Sequence, residues 1–116
     1  PIVGKLYDPL HPAVIHELAR IVNMADSLKL PVSVCGEMAS DPVAVVLLAG
    51  LGVRQLSMSS ARLSLIRRVV RSMSIDSAES LAQEALTADC AAAIRRLGRQ
   101  YLDSLELGFG LLQTHS

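Results

Sequence analysis

A cysteine followed at once by glycine and an acidic residue is the feature of this sequence best suited to chemistry. Cys35 ends the predicted strand 32–35, and Gly36 and Glu37 come directly after it. Parallel α/β proteins place their sites at the carboxyl ends of strands. A thiol there can give up a proton and take one back as it cycles through its thiolate. A buried cysteine can equally serve as a small hydrophobic residue, and the residues alone leave both interpretations open.

The histidines and the second glycine-rich stretch carry weaker signals. His11 lies in a loop before a proline, His16 on the polar face of a predicted helix and His115 in the tail. Because carboxylates and cysteines do not flank them at metal-ligand spacing, we predict structural or solvated roles for them and no metal site. Residues 50–52, GLG, are not followed by the further glycine or lysine of a phosphate-binding loop.

The elements that must position Cys35 are predicted to be two parallel strands joined by a helix. Residues 32–35 and 55–59 alternate apolar and small polar side chains, which places Val34 on one face of the sheet and Cys35 on the other. An Asp-Pro pair predicts the start of a helix over 42–49. A strand–helix–strand connection of this length predicts parallel strands with a right-handed crossover.

Amphipathic helices are predicted on both sides of this unit, because apolar residues recur there every three or four positions. These helices span residues 13–28, 61–73, 76–87 and 89–107. The helix over 61–73 is predicted to face the core with residues 63, 66, 69, 70 and 73. The helix over 89–107 is predicted to have one apolar stripe, formed by residues 93, 97, 101 and 105. Asp76 with Glu79 predicts a capping box, and Asp89 is the predicted cap of the last helix.

Composition excludes several classes of protein. The chain has 116 residues, 51% of them apolar and 19% charged, with a formal net charge of zero. Balanced charge gives no electrostatic reason to expect a nucleic-acid or membrane partner. Two groups of arginines, at residues 67, 68, 71 and 95, 96, 99, are predicted to lie on solvated helix faces.

Membrane insertion and disulfide bonding are also disfavoured. The longest nearly uninterrupted apolar stretch, residues 42–53, is well short of the ~20 residues that span a bilayer. Cys35 and Cys90 lie far apart in different kinds of segment, which is not a disulfide framework. We therefore expect a reducing, cytoplasmic setting.

The predicted elements are too few for a complete parallel-sheet protein. Parallel strands normally have helices on both faces and neighbours at both edges, and a (β/α)8 barrel takes ~250 residues. The predicted fold class is therefore α/β, as a C-terminal fragment of a (β/α)8 TIM barrel with two parallel strands, flanking helices and a C-terminal helical extension. Within it we expect a loop and helix over 1–31, a strand–helix–strand unit over 32–59 and C-terminal helices over 60–116.

Four short motifs occur in one order along the chain and suggest a family. They are residues 6–14 (LYDPLHPAV), 34–42 (VCGEMASDP), 50–52 (GLG) and 56–59 (LSMS). Together they resemble the phosphoenolpyruvate-utilising barrel of enzyme I of the bacterial phosphotransferase system, a phosphoenolpyruvate–protein phosphotransferase, and are most similar to its nitrogen-related branch. The resemblance covers nearly the whole chain and weakens after about residue 105.

The resemblance implies a phosphoryl transferase that moves phosphate from phosphoenolpyruvate to a protein histidine and releases pyruvate. In that family the barrel binds phosphoenolpyruvate with Mg²⁺, and the cysteine of the CGE motif protonates the enolpyruvate carbon. Cys35 holds that position here, as the expected catalytic general acid. Gly36 is the expected substrate-binding residue, because glycine lets the backbone approach a ligand closely.

The same resemblance implies what this chain lacks and what the full-length protein meets. The family keeps its phosphoryl-accepting histidine in another domain, and its Mg²⁺ ligands and phosphate-binding arginines on earlier barrel strands. We therefore expect the chain to be inactive by itself. The implied partners are phosphoenolpyruvate and pyruvate, an HPr-like phosphocarrier protein and a second copy in a homodimer.

Two other functions remain open at this stage. The chain could be an association module without catalysis, because the apolar helices over 61–107 would suffice for a dimer contact. It could also be the matching segment of a pyruvate-phosphate dikinase or a phosphoenolpyruvate synthase, which carry a similar cysteine strand. Glu37 could orient the loop after Cys35, pair with a basic residue or face solvent, and no catalytic role is predicted for it.

Overall fold

Two short parallel strands and six helices make up residues 8–105, the part of the chain that the computed structural model describes. In chain order they are α1 (Pro12–Ser27), β1 (Ser33–Cys35), α2 (Glu37–Ser40), α3 (Pro42–Leu51), β2 (Gln55–Ser57), α4 (Ser60–Ser72), α5 (Ile75–Thr87) and α6 (Ala91–Ser104). The predicted strand–helix–strand unit is confirmed. The short helix α2, which follows Cys35 and Gly36, was not predicted.

The sheet has one apolar face and one polar face. β1 and β2 pair in parallel, and Val34 lies beside Leu56 in the register. Both side chains are half-buried and pack on the buried residues Val22, Leu48 and Val53. The side chains of the other face are exposed: Ser33, Cys35, Gln55 and Ser57. The predicted parallel pairing and the predicted division of the two faces are both confirmed.

Helix α3 is the centre of the packing. Its sequence is apolar on every face, and residues 42–49 are all buried. A helix without a polar face needs neighbours all round, and α3 packs against α1, α4, α5 and α6. Pro42 begins the helix, and the carboxylate of Asp41 caps it by accepting a hydrogen bond from the Val43 N–H at 3.0 Å.

A glycine of α6 lies directly against α3. A Cβ on Gly98 would lie inside contact distance of a methyl group of Val43. Ile94, Gly98 and Leu102 are therefore the buried face of α6. The predicted stripe was displaced by one residue: 93, 97, 101 and 105 are only half-buried. Apolar periodicity does not mark a glycine as a contact residue, and this glycine sets the rotation of the helix.

Two predicted helix caps were wrong. Helix α5 is capped by Ser74, whose hydroxyl accepts from the Ser77 N–H at 3.1 Å, and Asp76 lies in the first turn instead. Acidic residues are favoured there because they oppose the helix dipole. Cys90, not Asp89, is the N-cap of α6, and its side chain makes no capping hydrogen bond. Helix α6 ends at Ser104, and the predicted continuation to 107 runs past the described residues.

Apolar side chains remain exposed on α1 and α4. Of the predicted inward set of α4, Ile66 and Val69 are buried, whereas Leu63 and Val70 are 38% and 42% exposed. A second exposed group lies at the end of α1 and in the loop after it: Ile21, Met24, Leu28 and Leu30. Within residues 8–105, α3 and the short α2 are the helices packed closely on α4, which leaves its far side uncovered.

Candidate active site

Cys35 and Ser57 form the last rung of the parallel ladder, at the carboxyl ends of both strands. Both side chains are exposed on the face opposite the packed apolar residues. The alternation of the strand puts them there, because their neighbours Val34 and Leu56 are drawn towards the core. The structure therefore rejects the interpretation of Cys35 as a buried hydrophobic residue.

Gly36 has a backbone conformation that other residues avoid. Its φ is 86° and its ψ is −152°, a region that is essentially restricted to glycine. Its Cβ position is open, with nothing within 4 Å. The glycine is thus required by the turn that leaves β1 and not by a lack of space.

The loop after Cys35 is short and has few bonds of its own. Helix α2 has four residues, and the Ser40 hydroxyl donates to the Gly36 carbonyl at 3.3 Å. Glu37 is exposed in the first turn of α2, and the structure pairs it with no basic residue of the described part of the chain. Of the possibilities open for Glu37, the solvent-facing one matches this position.

An open cleft of about 1290 Å³ lies beside this loop. Its walls come from the loops after β1 and β2, the starts of α3 and α4, and the side of α6 that runs from Arg95 to Asp103. They include Gly36, Ser57, Arg62 and Arg95. The cleft therefore adjoins the rung that carries Cys35, through Gly36 and Ser57.

Arg95 is a residue of this region that the sequence interpretation missed. It was predicted to be solvated, but its guanidinium donates to both carboxylate oxygens of Asp8, at 2.7 and 3.2 Å, and to Asp41 at 3.4 Å. The hydrogen bond from Arg95 lowers the pKa of the Asp8 carboxyl, although partial burial opposes this. The same hydrogen bond raises the pKa of Arg95. The pattern of polar residues on α6 gave no local signal of this contact.

Arg62 contacts the loop after Cys35 directly. Its Nε and Nη2 atoms both donate to the carbonyl of Ser40, at 3.2 and 2.9 Å. Ser40 ends α2, and Arg62 lies in the first turn of α4, so the contact joins the loop after β1 to the helix after β2. This role was not predicted either.

The histidines lie away from this rung. The His11 ring accepts from the Ala13 N–H at 3.1 Å and caps α1. The Nε2 atom of His16 is 2.8 Å from the carbonyl oxygen of Leu86, which joins α1 to α5. Both therefore have structural roles, and His115 lies outside the described residues.

Within residues 8–105 there is no group of three or more histidine, cysteine or carboxylate side chains placed to hold a metal ion. In the same range, no helix combines the length and the apolar character needed to cross a bilayer.

Comparison with known families gives this arrangement a context. Residues 1–75 match the family described as "PEP-utilising enzyme, PEP-binding domain". The chain belongs to this family. The match includes Cys35, Gly36 and both strands, and it ends at the first residue of α5.

Curated relatives extend the similarity beyond that match. The chain is 41% identical over 101 residues to a phosphoenolpyruvate-protein phosphotransferase of Cupriavidus necator, covering 84% of this chain and 17% of the relative. It is 34% identical over 111 residues to a protein of Salmonella typhimurium named "phosphoenolpyruvate-dependent phosphotransferase system", covering 96% and 15%. A multiphosphoryl transfer protein of Rhodobacter capsulatus is 37% identical over 97 residues, covering 84% and 12%.

This member of the PEP-utilising enzyme family thus spans about a sixth of the length of the first two relatives. The alignment to the Salmonella protein covers 96% of the chain, so it includes the whole of α5 and α6. The family resemblance inferred from the four motifs is confirmed.

Proposed function

We propose that this chain is the C-terminal part of the (β/α)8 barrel of a phosphoenolpyruvate–protein phosphotransferase, and that Cys35 protonates enolpyruvate there. The observation that carries the proposal is the position of Cys35: it ends β1, beside Ser57, on the sheet face that no described helix covers. In a closed barrel that face is the interior, and the carboxyl end of the strands is the active-site end.

The proposed chemistry has two steps, and Cys35 acts in the second. First, the phosphoryl group passes from phosphoenolpyruvate to a histidine in another domain, and the enol oxygen keeps the electron pair of the broken P–O bond. As that oxygen re-forms the carbonyl, the carbon–carbon π electrons take the proton from the Cys35 sulfur. A methyl C–H bond forms, pyruvate is released, and solvent reprotonates the thiolate.

The surroundings of Cys35 support this role. The side chain is exposed, so a substrate can reach it. The positive φ of Gly36 turns the chain away from the strand, and the next residue and the register partner of Cys35, Gly36 and Ser57, both line the cleft. Proton transfer requires an approach to hydrogen-bond distance, and an unobstructed thiol at a strand end allows it.

Other parts of the reaction belong to other parts of the full-length protein. Mg²⁺ would be held by carboxylates on earlier barrel strands, as the family resemblance implies. An HPr-like phosphocarrier would receive the phosphoryl group, the protein would act as a homodimer, and it would work in the cytoplasm, where two free cysteines stay reduced. The chain alone would be inactive.

Single-turnover phosphoryl transfer tests the proposal. The full-length protein should consume labelled phosphoenolpyruvate and form an acid-labile phosphoprotein together with an equal amount of pyruvate. The chain of residues 1–116 serves as the control and should release no pyruvate. Pyruvate release without a phosphoprotein, or release by the chain alone, would contradict the proposal.

A further inference from the structure

We infer that Arg62 and Arg95 are positioning residues for Cys35, because Arg62 binds the backbone carbonyl of Ser40 and Arg95 binds the side-chain carboxylate of the next residue, Asp41. The inference rests on the proposed function and adds two residues that act through the loop and do not touch substrate.

The loop needs an external restraint. After Cys35 the ladder stops, Gly36 turns away at positive φ, and α2 is a single turn. Within the loop, the Ser40 hydroxyl bond to Gly36 and the Asp41 N–H bond to the Met38 carbonyl are both 3.3 Å long. Bonds of that length are at the weak end of the range, so they do not fix the loop by themselves.

Arg62 supplies one restraint. Its Nε and Nη2 atoms both donate to the Ser40 carbonyl. This carbonyl is at the end of α2, where a helix offers it no partner of its own. Arg62 lies five residues after Ser57, the register partner of Cys35. The Arg62 side chain therefore links the loop after β1 to the start of α4.

Arg95 supplies the other restraint. The guanidinium is held by Asp8 through two bonds, and its third donor lies 3.4 Å from the Asp41 carboxylate. This contact joins two opposite charges, and charged contacts are stronger than neutral hydrogen bonds such as those within the loop. The other oxygen of the Asp41 carboxylate caps α3 through the Val43 N–H. Asp41 is thus fixed between α6 and the start of α3, and with Arg62 it fixes the end of the loop.

This arrangement predicts an effect on the proton-transfer step. Small displacements of a reacting group slow catalysis strongly, whereas the groups that bind the phosphate lie outside this loop. Loss of either arginine should lower the turnover number for hydrogen exchange of the pyruvate methyl group and leave the KM for pyruvate unchanged. A purely structural role would instead lower the melting temperature and leave the turnover of the folded protein unchanged.

The test uses the full-length protein with Arg62→Met, Arg95→Met and both together. Arg67→Met on α4 and Arg96→Met on α6 are the matched controls, since both arginines are exposed and lie on the same two helices. We expect each test variant to lower the exchange turnover about tenfold with KM within about twofold, and the controls to match the wild type. Arg62→Lys and Arg95→Lys should recover part of the rate, because lysine can make one of the contacts but not two.

A second measurement separates failure of this inference from failure of the proposed function. The rate at which iodoacetamide alkylates Cys35 is read by mass spectrometry against pH, with Cys90 as the internal reference. If the wild type exchanges hydrogen but the Met variants keep its turnover, the positioning role is overturned. If the wild type does not exchange hydrogen at all, the proposed function fails, and the ratio of the Cys35 alkylation rate to the Cys90 alkylation rate tests the positioning role instead. A change of this ratio by threefold or more in the Met variants supports the positioning role. An unchanged ratio overturns it. If a Met variant does not fold, the Lys variant of the same arginine is measured in its place, by both exchange and alkylation.

Discussion

Arg95 on α6 donates hydrogen bonds to both carboxylate oxygens of Asp8, a residue 87 positions earlier in the chain. The two side chains are 31% and 36% exposed, so water screens the pair in part. A bidentate arginine–carboxylate contact is nevertheless the strongest form of such a pair. It joins the last described helix to the loop before α1.

Replacement of Arg95 by Met should destabilise the chain by about 1 kcal/mol at neutral pH, the upper end for a partly exposed ion pair. The pKa of Asp8 is lowered from its ordinary value of 3.8, mainly by the hydrogen bond from Arg95. A depressed carboxyl pKa contributes stability that is complete above the unfolded value and is lost as pH falls through the folded one. The stability difference between wild type and variant should therefore shrink below about pH 3.8. Thermal unfolding as a function of pH measures it, and a difference that grows in acid would contradict this explanation.

The contact between Gly98 and Val43 predicts a second stability effect. Gly98→Ala adds a methyl group inside contact distance of Val43. Overpacking costs about 1–3 kcal/mol, and the better helix propensity of alanine returns about 1 kcal/mol. A net loss of about 1 kcal/mol is expected in urea unfolding. In the double variant with Val43→Ala, the added methyl group should find space. The double variant should therefore lose less unfolding free energy than the sum of the losses in the two single variants. Strict additivity would show that the two helices do not touch there.

The features of this fold that could be predicted are those that neighbouring residues in the sequence determine. The alternation at Val34 and Cys35 identified the strand and its two faces. Successive side chains of a strand point to opposite faces, so alternating apolar and polar residues mark the buried face and the exposed face. Asp41 followed by proline likewise identified the start of α3. The role of Arg95 had no such signal, since its partners lie 87 and 54 positions away. Polar patterning predicts exposure, and it does not identify the carboxylate that a charged side chain meets.

The candidate site shows the same limit. The position of Cys35 at the end of a strand was predicted correctly, but α2 was missed because four residues carry no periodicity. For Gly36 the structure adds a reason that the sequence did not indicate, a backbone conformation that is essentially restricted to glycine. The expected contact of Gly36 with substrate stays a prediction.

Gly36→Ala should therefore destabilise the turn even though its methyl group has space. A non-glycine residue in that region of φ and ψ costs about 1–3 kcal/mol. The adjacent Glu37→Ala, which changes an exposed residue in α2, is the control and should stay within about 0.5 kcal/mol of wild type. Chemical unfolding of both variants measures the difference. Equal stability would show that the turn relaxes without loss.

The exposed apolar group at the end of α1 predicts association of the isolated chain. Met24 and Leu28 are 52% and 63% exposed, and the uncovered sheet edges offer further contacts. Light scattering should show self-association of residues 1–116, and Met24→Lys with Leu28→Lys should weaken it. Leu63→Lys with Val70→Lys, on the exposed side of α4, is the comparison and should have a smaller effect. A monodisperse monomer would count against the proposal that a larger barrel covers these surfaces.

The position of Cys35 on the last rung of the ladder is the basis of the proposed chemistry, and hydrogen exchange into the methyl group of pyruvate tests it most directly. In the full-length protein, Cys35→Ala should reduce deuterium incorporation from D₂O by at least 100-fold, the low end of what a general acid contributes. Binding of phosphoenolpyruvate should persist, and Cys90→Ala should match the wild type. Exchange at the wild-type rate in Cys35→Ala would contradict the account.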